Sequence, residues 1–281
     1  MKIMKWSDLH IEVDNMTFEQ KAEYKECVLL LAGDIHVKNK AIEWISHFAD
    51  WFKHILYIPG NHEYWGTSFE KLDNAIENAI LEYNLHNVTY LNNKSIILHD
   101  DNGLACKFMG CTLWTDYNKN DHLVKFDAPS IMKDYKKIRR LNHTRKITAN
   151  ELYMEHKNSL RWLKEEINKP FNGAKILMCH HAPSMQSNCH QISNTTYLYV
   201  SDLDDFILEN PVNVIFHGHT HDSVNYKIGE TDVISNPRGY SPYYLNPNFD
   251  LNMVYNVNVA APVATFESKE DVWEKLLAKT I

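Results

Sequence analysis

The chain contains no apolar run approaching the ~20 residues that a membrane-spanning helix needs. Its first residues enter a strand-like segment at once, with neither an apolar leader nor a cleavage site, which points away from membranes and secretion. Paired cysteines are missing too. The five present (Cys27, Cys106, Cys111, Cys179, Cys189) are odd in number and show no C-x-x-C spacing. Free thiols in a reducing, cytoplasmic compartment are expected. Nor is there a basic excess: 29 Lys and Arg against 36 Asp and Glu leave a formal charge of -7. A dedicated nucleic-acid binder normally shows a basic face, so nucleic acid is disfavoured as a partner, although divalent metals would offset some of the charge locally. No repeat, low-complexity tract or linker interrupts the 281 residues, and the 44% apolar and 23% charged content is ordinary for a globular protein. One domain over residues 1–281 is expected.

What is present is a recurring pattern. The stretch from Ile55 to Glu63, ILYIPGNHE, is an apolar run that breaks at Pro59-Gly60 and ends in Asn61-His62-Glu63. It reads as a buried strand delivering an amide oxygen and an imidazole at its C-terminal end. Four more runs do the same. Ile3 to Trp6 leads into Asp8-Leu9-His10, Val28 to Ala32 into Gly33-Asp34, Lys175 to Met178 into His180-His181, and Val212 to Phe216 into His217-Gly218-His219-Thr220-His221. Ligands of open α/β sheets sit outside the carboxyl ends of the strands, so five exits loaded with Asp, Asn and His argue for one shared site. These donors suit borderline divalent metals such as Mn, Fe, Ni or Zn, and there are too many of them for one tetrahedral ion.

In this order the five segments resemble the calcineurin-like metallophosphoesterase superfamily, whose pattern is D-x-H, G-D, G-N-H-[DE], a lone or paired His, and G-H-x-H. The resemblance spans roughly residues 2–240. It implies a four-layer α-β-β-α sandwich of two mixed sheets flanked by helices, with two divalent metal ions as cofactors. One ion would take Asp8, His10 and His221; the other would take Asn61, His180 and His219; Asp34 would bridge both. Such a pair can ionise a bridging water and clamp an in-line displacement at phosphorus. By the same resemblance His62 is not a ligand. It would give a proton to the leaving oxygen or a hydrogen bond to the phosphoryl group, the alternative being a structural histidine. His181 reads as structural, with substrate contact as the alternative. Arg238 either grips a phosphate through its planar fork or forms an ordinary loop salt bridge. Two departures stand out. The residues after Gly33-Asp34 are Ile35-His36-Val37-Lys38, without the acidic residue many members place there, and the Asp-Arg-Gly continuation of the protein Ser/Thr phosphatase branch is absent.

Between the motifs, helical spacing predicts helices over residues 39–53 (Ile42, Ile45, Ala49, Phe52) and about 69–83 (Leu72, Ile76, Ile80). Strand–helix alternation implies βαβ units. Three strand-like runs, at 88–91, 95–98 and 104–110, suggest a second sheet, with a hairpin across Asp101-Asn102-Gly103. Thr148 to Glu151 predicts a capping box opening a long helix that ends before Pro170. Residues 115–147, rich in charge and aromatics, read as an insertion beside the site mouth, either a solvated excursion or a substrate-contacting cap. A closing helix is expected near 270–277. Most of the 16 histidines, His47, His54, His86, His99 and His156 among them, are expected to be solvated or core residues. The function expected is hydrolysis of a phosphomonoester or phosphodiester of a small metabolite or nucleotide. The alternatives are a nuclease of the same superfamily and a non-catalytic protein-binding scaffold.

Overall fold

The six residues Cys27-Val28-Leu29-Leu30-Leu31-Ala32 are all buried, and a strand with no polar position must be covered on both faces. The computed structural model, which describes residues 1–257, shows how. The chain runs β1 (Lys2–Trp6), β2 (Cys27–Ala32), α1 (Ala41–Ser46), β3 (His54–Ile58), α2 (Leu72–Glu82), β4 (Val88–Tyr90), β5 (Lys94–His99) and β6 (Ala105–Cys111). Next come α3 (Tyr117–Asn120), α4 (His122–Ile131), α5 (Asp134–Lys137), the small ribbon β7 (Arg139–Arg140) and β8 (Arg145–Lys146), and α6 (Ala149–Ile167). The last part comprises β9 (Ala174–Cys179), α7 (Asp204–Glu209), β10 (Val214–His217), β11 (Val224–Ile228), β12 (Thr231–Ser235), the ribbon β13 (Gly239–Tyr240) and β14 (Tyr244–Leu245), and β15 (Val254–Asn256).

One sheet has the order β15-β1-β2-β3-β4 and the other β11-β12-β10-β9-β6-β5. Strands β1 to β4 are parallel, as are β12, β10, β9 and β6. The edge strands β15, β11 and β5 run antiparallel, so both sheets are mixed. Alternation along β2 sets the layers. Val28, Leu30 and Ala32 join Phe108, Ile176, Met178 and Phe216 in the core between the sheets. Leu29 and Leu31 face the opposite way, toward Ile42, Ile45 and Ile76 of α1 and α2. On the far side Leu163, Ile167 and Ile207 of α6 and α7 cover Met109, Leu177, Ile215 and Val233. This is the four-layer α-β-β-α sandwich.

Register decides where the site forms. Trp6 pairs with Leu31, and Leu31 with Tyr57, so β1, β2 and β3 end at one level. In the second sheet Phe216 pairs with Met178. The exits are stitched together by Asp8 N–H donating to Gly33 O (3.0 Å), His10 N–H to Asp34 O (3.0 Å) and Gly218 N–H to His180 O (2.9 Å).

Several expectations change in detail. The helix over 39–53 breaks: α1 ends at Ser46, and Phe48 leaves helical geometry at φ -141° before a 3₁₀ turn at Ala49–Trp51. The break lets the Phe48 ring pack on Phe18, Trp44 and Trp6, at centroid distances of 5.0, 4.6 and 6.4 Å. Residues 88–90 do not belong to the second sheet; they pair with β3 as the edge of the first. The hairpin β5–β6 forms as expected; the second sheet also gains the edge strand β11, where Val224, Tyr226 and Ile228 alternate with Asn225 and Lys227, and the first gains the short edge β15. The Thr148 capping box is present, with Glu151 N–H donating to Thr148 Oγ1 and Thr148 N–H to the Glu151 carboxylate. Residues 115–147 hold α3, α4, α5 and the β7–β8 ribbon, and Ile131 to Asp134 of this segment line the cavity described below. The helix expected near 270–277 lies outside the described residues.

His156 on α6 is a core histidine, 1% exposed, with Nδ1 bonded to Leu113 O at 3.0 Å. Burial pushes its pKa down to about 4, below an unfolded value of about 6.5. Its contribution to stability is therefore complete above pH 6.5 and is lost as pH falls toward 4. Between pH 7 and 4.5 that loss is about 2–3 kcal/mol. His156→Asn, which keeps a donor near Leu113 O, is expected to lose correspondingly less over that interval than the wild type in urea titrations. Parallel pH profiles would refute this assignment.

Candidate metal centre and active site

Where the two sheets' carboxyl ends meet, the chain departs from ordinary backbone geometry. Asp8, His10, Asp34, His219 and His221 all have positive φ, between 48° and 69°. This left-handed region is uncommon for residues with a side chain, though Asp, Asn and His tolerate it best. The turns reverse the chain immediately after each strand and point short polar side chains back into one cluster. Two glycines make room for it. A Cβ on Gly60 would lie 2.1 Å from Asp34 Oδ1, and one on Gly218 would lie 2.4 Å from Asp8 Oδ2.

All seven residues expected as ligands come together. Asp8, His10 and His221 each bring an atom within 4.8 Å of the others, as do Asp34, His180 and His219, and the trio His10, Asp34 and His62. Asn61 completes the second group, its Oδ1 3.1 Å from His180 Nε2. Asp34 stands between the groups. Its Oδ1 is 3.4 Å from His180 Nε2, while Oδ2 is 3.9 Å from His10 Nε2.

Hydrogen bonds outside the cluster fix the imidazole tautomers. His180 Nδ1 donates to Ala32 O at 2.9 Å, and His10 Nδ1 faces Glu12 Oε1 at 3.3 Å. Their Nε2 lone pairs therefore point inward. His180 Nε2 meets His219 Nδ1 at 3.1 Å, and His10 Nε2 meets His221 Nε2 at 3.2 Å. Lone pairs that converge this way need a proton or a cation between them. Asp8 Oδ2 and His219 Nε2 are buried with no hydrogen-bond partner among the described residues. Buried polar atoms are rarely left so. The donor set thus fits divalent cations on an observation of geometry and not of sequence alone.

The electrostatics agree. Burial pushes Asp34 up, but the positive charge available at His180, His62 and His10 outweighs it and holds the carboxyl well below its ordinary range. Asp8 is likewise held low, burial being outweighed by His221 and His180. For His180 burial acts downward, yet Asp34 and Asp8 raise it to about 9. Burial beside His181 and His180 drives His219 well below its ordinary value.

His62 sits over this floor, 3% exposed, with Nε2 3.8 Å from Asp34 Oδ2. Its Nδ1 donates to Glu12 Oε1 at 2.7 Å, and its Nε2 lies 2.9 Å from the Tyr240 hydroxyl. The ring stacks on Trp65 at 3.5 Å and 26°. Burial lowers its pKa, but Asp34 and Glu12 more than reverse this, so it is raised. Glu12 is thus the carboxylate partner of His62. Sequence reasoning missed it because it falls two residues beyond the Asp8-Leu9-His10 motif, in a polar segment without periodicity. The spacing Asp8-x-His10-x-Glu12 was the available signal. Glu63 has a different task. Its buried carboxylate accepts N–H from Asp34 (3.0 Å), Ile35 (2.8 Å) and Gly60 (2.7 Å) and the Tyr57 hydroxyl (2.9 Å).

A cavity of about 560 Å³ opens above the cluster and is lined by Asp34, Asn61, His62, His219 and His221 at its floor. The cap contributes Ile131 to Asp134, the loop after β9 contributes Asn188 to His190 and Tyr199, and the last segment contributes Tyr240 and Tyr244. Arg238 and His181, for which the sequence leaves substrate contact as one of two readings, do not line the cavity. Arg238 is spent on Leu9 O (3.0 Å), Asp14 O (3.1 Å) and the Asp14 carboxylate (3.0 Å), so it braces the loop that carries His10 and is absent from the cavity wall. The salt-bridge alternative describes it. Lys133 is the one Lys or Arg among the lining residues. His181 is 2% exposed, bonds Thr112 O at 3.2 Å and packs on His219 at 4.0 Å, and burial sends its pKa to about 3. It supports a neighbour from behind and also does not line the cavity.

Because the Gly60 Cα approaches Asp34 so closely, Gly60→Ala is expected to displace the Asp34 carboxylate. Uptake of divalent metal by the purified protein should then fall at least ~10-fold, as on loss of a ligand's supporting shell, with far-UV circular dichroism unchanged. Wild-type metal uptake in this variant would show that the close approach does not matter.

Comparison with known proteins agrees with this geometry. An uncharacterized protein of Acanthamoeba polyphaga mimivirus is 25% identical over 272 residues, covering 86% of this chain and 92% of its own. The structure of phosphopantetheinyl hydrolase from Mycobacterium tuberculosis shares the fold, with a TM-score of 0.66 and 15% identity over 86% of this chain and 93% of that one. The family model for calcineurin-like phosphoesterases matches residues 1–223. The chain belongs to the calcineurin-like phosphoesterase family and is a metal-dependent phosphoester hydrolase.

Proposed function

We propose that the chain hydrolyses a phosphomonoester or phosphodiester bond of a small phosphorylated metabolite or nucleotide, as one metallophosphoesterase domain with its cap at residues 115–147. The observation that carries this reading is the convergence of Asp8, His10, Asp34, Asn61, His180, His219 and His221 in one cluster, of which Asp34, Asn61, His219 and His221 line the cavity. In it Asp8, His10 and His221 would hold one divalent cation and Asn61, His180 and His219 a second, with Asp34 shared between them. Mn, Fe, Ni and Zn suit this donor set. Such a pair supplies Lewis-acid chemistry: it lowers the pKa of bound water and neutralises charge on the phosphoryl oxygens.

The chain's own residues do the rest. His62, held by Glu12 at Nδ1, presents Nε2 above Asp34, and Asp34 and Glu12 raise its pKa against the effect of burial. His62 passes a proton to the leaving oxygen. Tyr240, bonded to Nε2 and stacked on His10 at 4.1 Å, fixes the direction of transfer. The size of the cavity favours a small substrate. A nuclease needs several Lys or Arg contacts to phosphates, and Lys133 alone lines this cavity, which argues against that alternative. The presence of every expected ligand argues against a scaffold. Among the described residues no helix is long and apolar enough to cross a membrane, and five free cysteines suit a reducing compartment.

Two measurements test this. Elemental analysis should find two divalent ions per chain, with both disturbed by Asp34→Ala, and chelation should lower the thermal midpoint as bound metal ceases to favour the native state. One ion at most, or an unchanged midpoint after verified removal, would count against the dinuclear site. For the proton, His62→Asn should cost ~10²–10⁴-fold on an alkyl phosphate and clearly less on nitrophenyl phosphate, whose leaving group needs no proton. Glu12→Gln should show the same asymmetry, more weakly. Equal losses on both substrates would assign His62 to the phosphoryl oxygens instead.

A further inference from the structure

Asp134 opens α5, inside the cap segment, yet it is only 3% exposed. Its Oδ1 accepts two hydrogen bonds, from Asn61 Nδ2 at 2.9 Å and from Trp65 Nε1 at 2.6 Å. Asn61 is 73 residues away in sequence, so nothing local creates this contact.

An asparagine amide has two different ends, an acceptor oxygen and a donor NH₂, and rotation about χ2 exchanges them. Only the oxygen can face a cation. Asn61 Oδ1 lies 3.1 Å from His180 Nε2, and among the described residues Nδ2 has no bond besides the one to Asp134. Without Asp134 nothing would hold Nδ2 on the far side, and the exchanged rotamer would turn N–H donors toward the cation. The carboxylate of Asp134 removes the choice: it accepts from Nδ2 on the far side and would repel Oδ1 there. The same oxygen holds Trp65, whose ring lies on His62.

We propose that Asp134 is a positioning residue that fixes the Asn61 carbonyl toward the cation at the His180–His219 end of the cluster, making the cap part of the metal site and not only a wall of the cavity. This rests on the dinuclear reading above and extends it. The effect is one-sided. Asp8, His10 and His221 receive no bond from Asp134, so the cation they hold is untouched.

The test is a titration of metal-free protein with Co²⁺, followed by its visible absorption and by equilibrium dialysis. Wild type should bind two ions. Asp134→Ala should weaken one of them ~10–100-fold, the usual cost of losing a ligand's outer partner, and leave the other at wild-type affinity with its spectrum intact, which also shows that the variant is folded. Asn61→Ala should weaken the same ion, and the double variant should lose no more than Asn61→Ala alone, since the two residues act through one contact. Asp134→Asn keeps an Oδ1 acceptor in place and should restore binding to within a few-fold of wild type. An Asp134→Ala protein that binds both ions normally, or weakens both equally with a lowered thermal midpoint, overturns the proposal, as does failure of Asp134→Asn to rescue. A wild type that binds fewer than two ions overturns the dinuclear reading as well; two ions in wild type with an unaffected Asp134→Ala overturns this inference alone.

Discussion

Everything at the head of this sandwich depends on how negative charge is balanced where water is excluded. Asp8 and Asp34 are at most 2% exposed, and leaving even one such carboxylate uncompensated costs several kcal/mol. The neighbours arranged around them are imidazoles with inward lone pairs, which carry positive charge only by taking up protons. Metal-free, the cluster is a proton trap, and His180 at about 9 is its clearest sign. Divalent cations meet the same demand without requiring the imidazoles to be charged. Protons and metal therefore compete for one set of lone pairs.

That demand explains the surrounding architecture. Residues in left-handed geometry cost roughly 1–2 kcal/mol each, and five of them, the two aspartates included, belong to this cluster. Such strain persists only where the neighbouring structure determines it fully. Glu63 does much of that work, gathering the backbone N–H groups of Asp34, Ile35 and Gly60 on one carboxylate. Burial beside Asp34 pushes its pKa to about 7, opposed by these donors, which favour the charged form. One side chain thus braces both the Gly33-Asp34 and Gly60-Asn61 turns.

Much of this was legible in the chain. The strand exits could be read because each ligand follows a hydrophobic run directly, so a local pattern fixes a spatial fact. Thr148 could be read for the same reason, since a capping box is complete within four residues. Residues whose roles come from distant partners could not. Glu12 meets His62 across 50 positions and Asp134 meets Asn61 across 73, and neither stands in a periodic segment. Arg238 has a sequence context that suits a phosphate grip equally well. Only the approach of Leu9 and Asp14 decides it. The edge strand β15 was hidden because an edge with one exposed face carries little hydrophobic signal.

The contacts of the segment after β12 bear on how the protein is made. Arg238 N–H bonds Ser7 O, Gly239 N–H bonds Asp8 O, the Trp6 indole bonds Leu251 O, and β15 closes the open side of β1. The first motif to leave the ribosome is thus finished by residues synthesised more than 200 positions later, and His219 and His221 arrive with that late portion. For most of translation the Asp8 turn exists without His219 and Gly239, whereas the Asp34 turn meets His62 and Glu63 only 28 and 29 positions on. Capture of metal and completion of the first sheet consequently belong to the same late stage of folding, the slow, long-range kind of assembly that high contact order imposes.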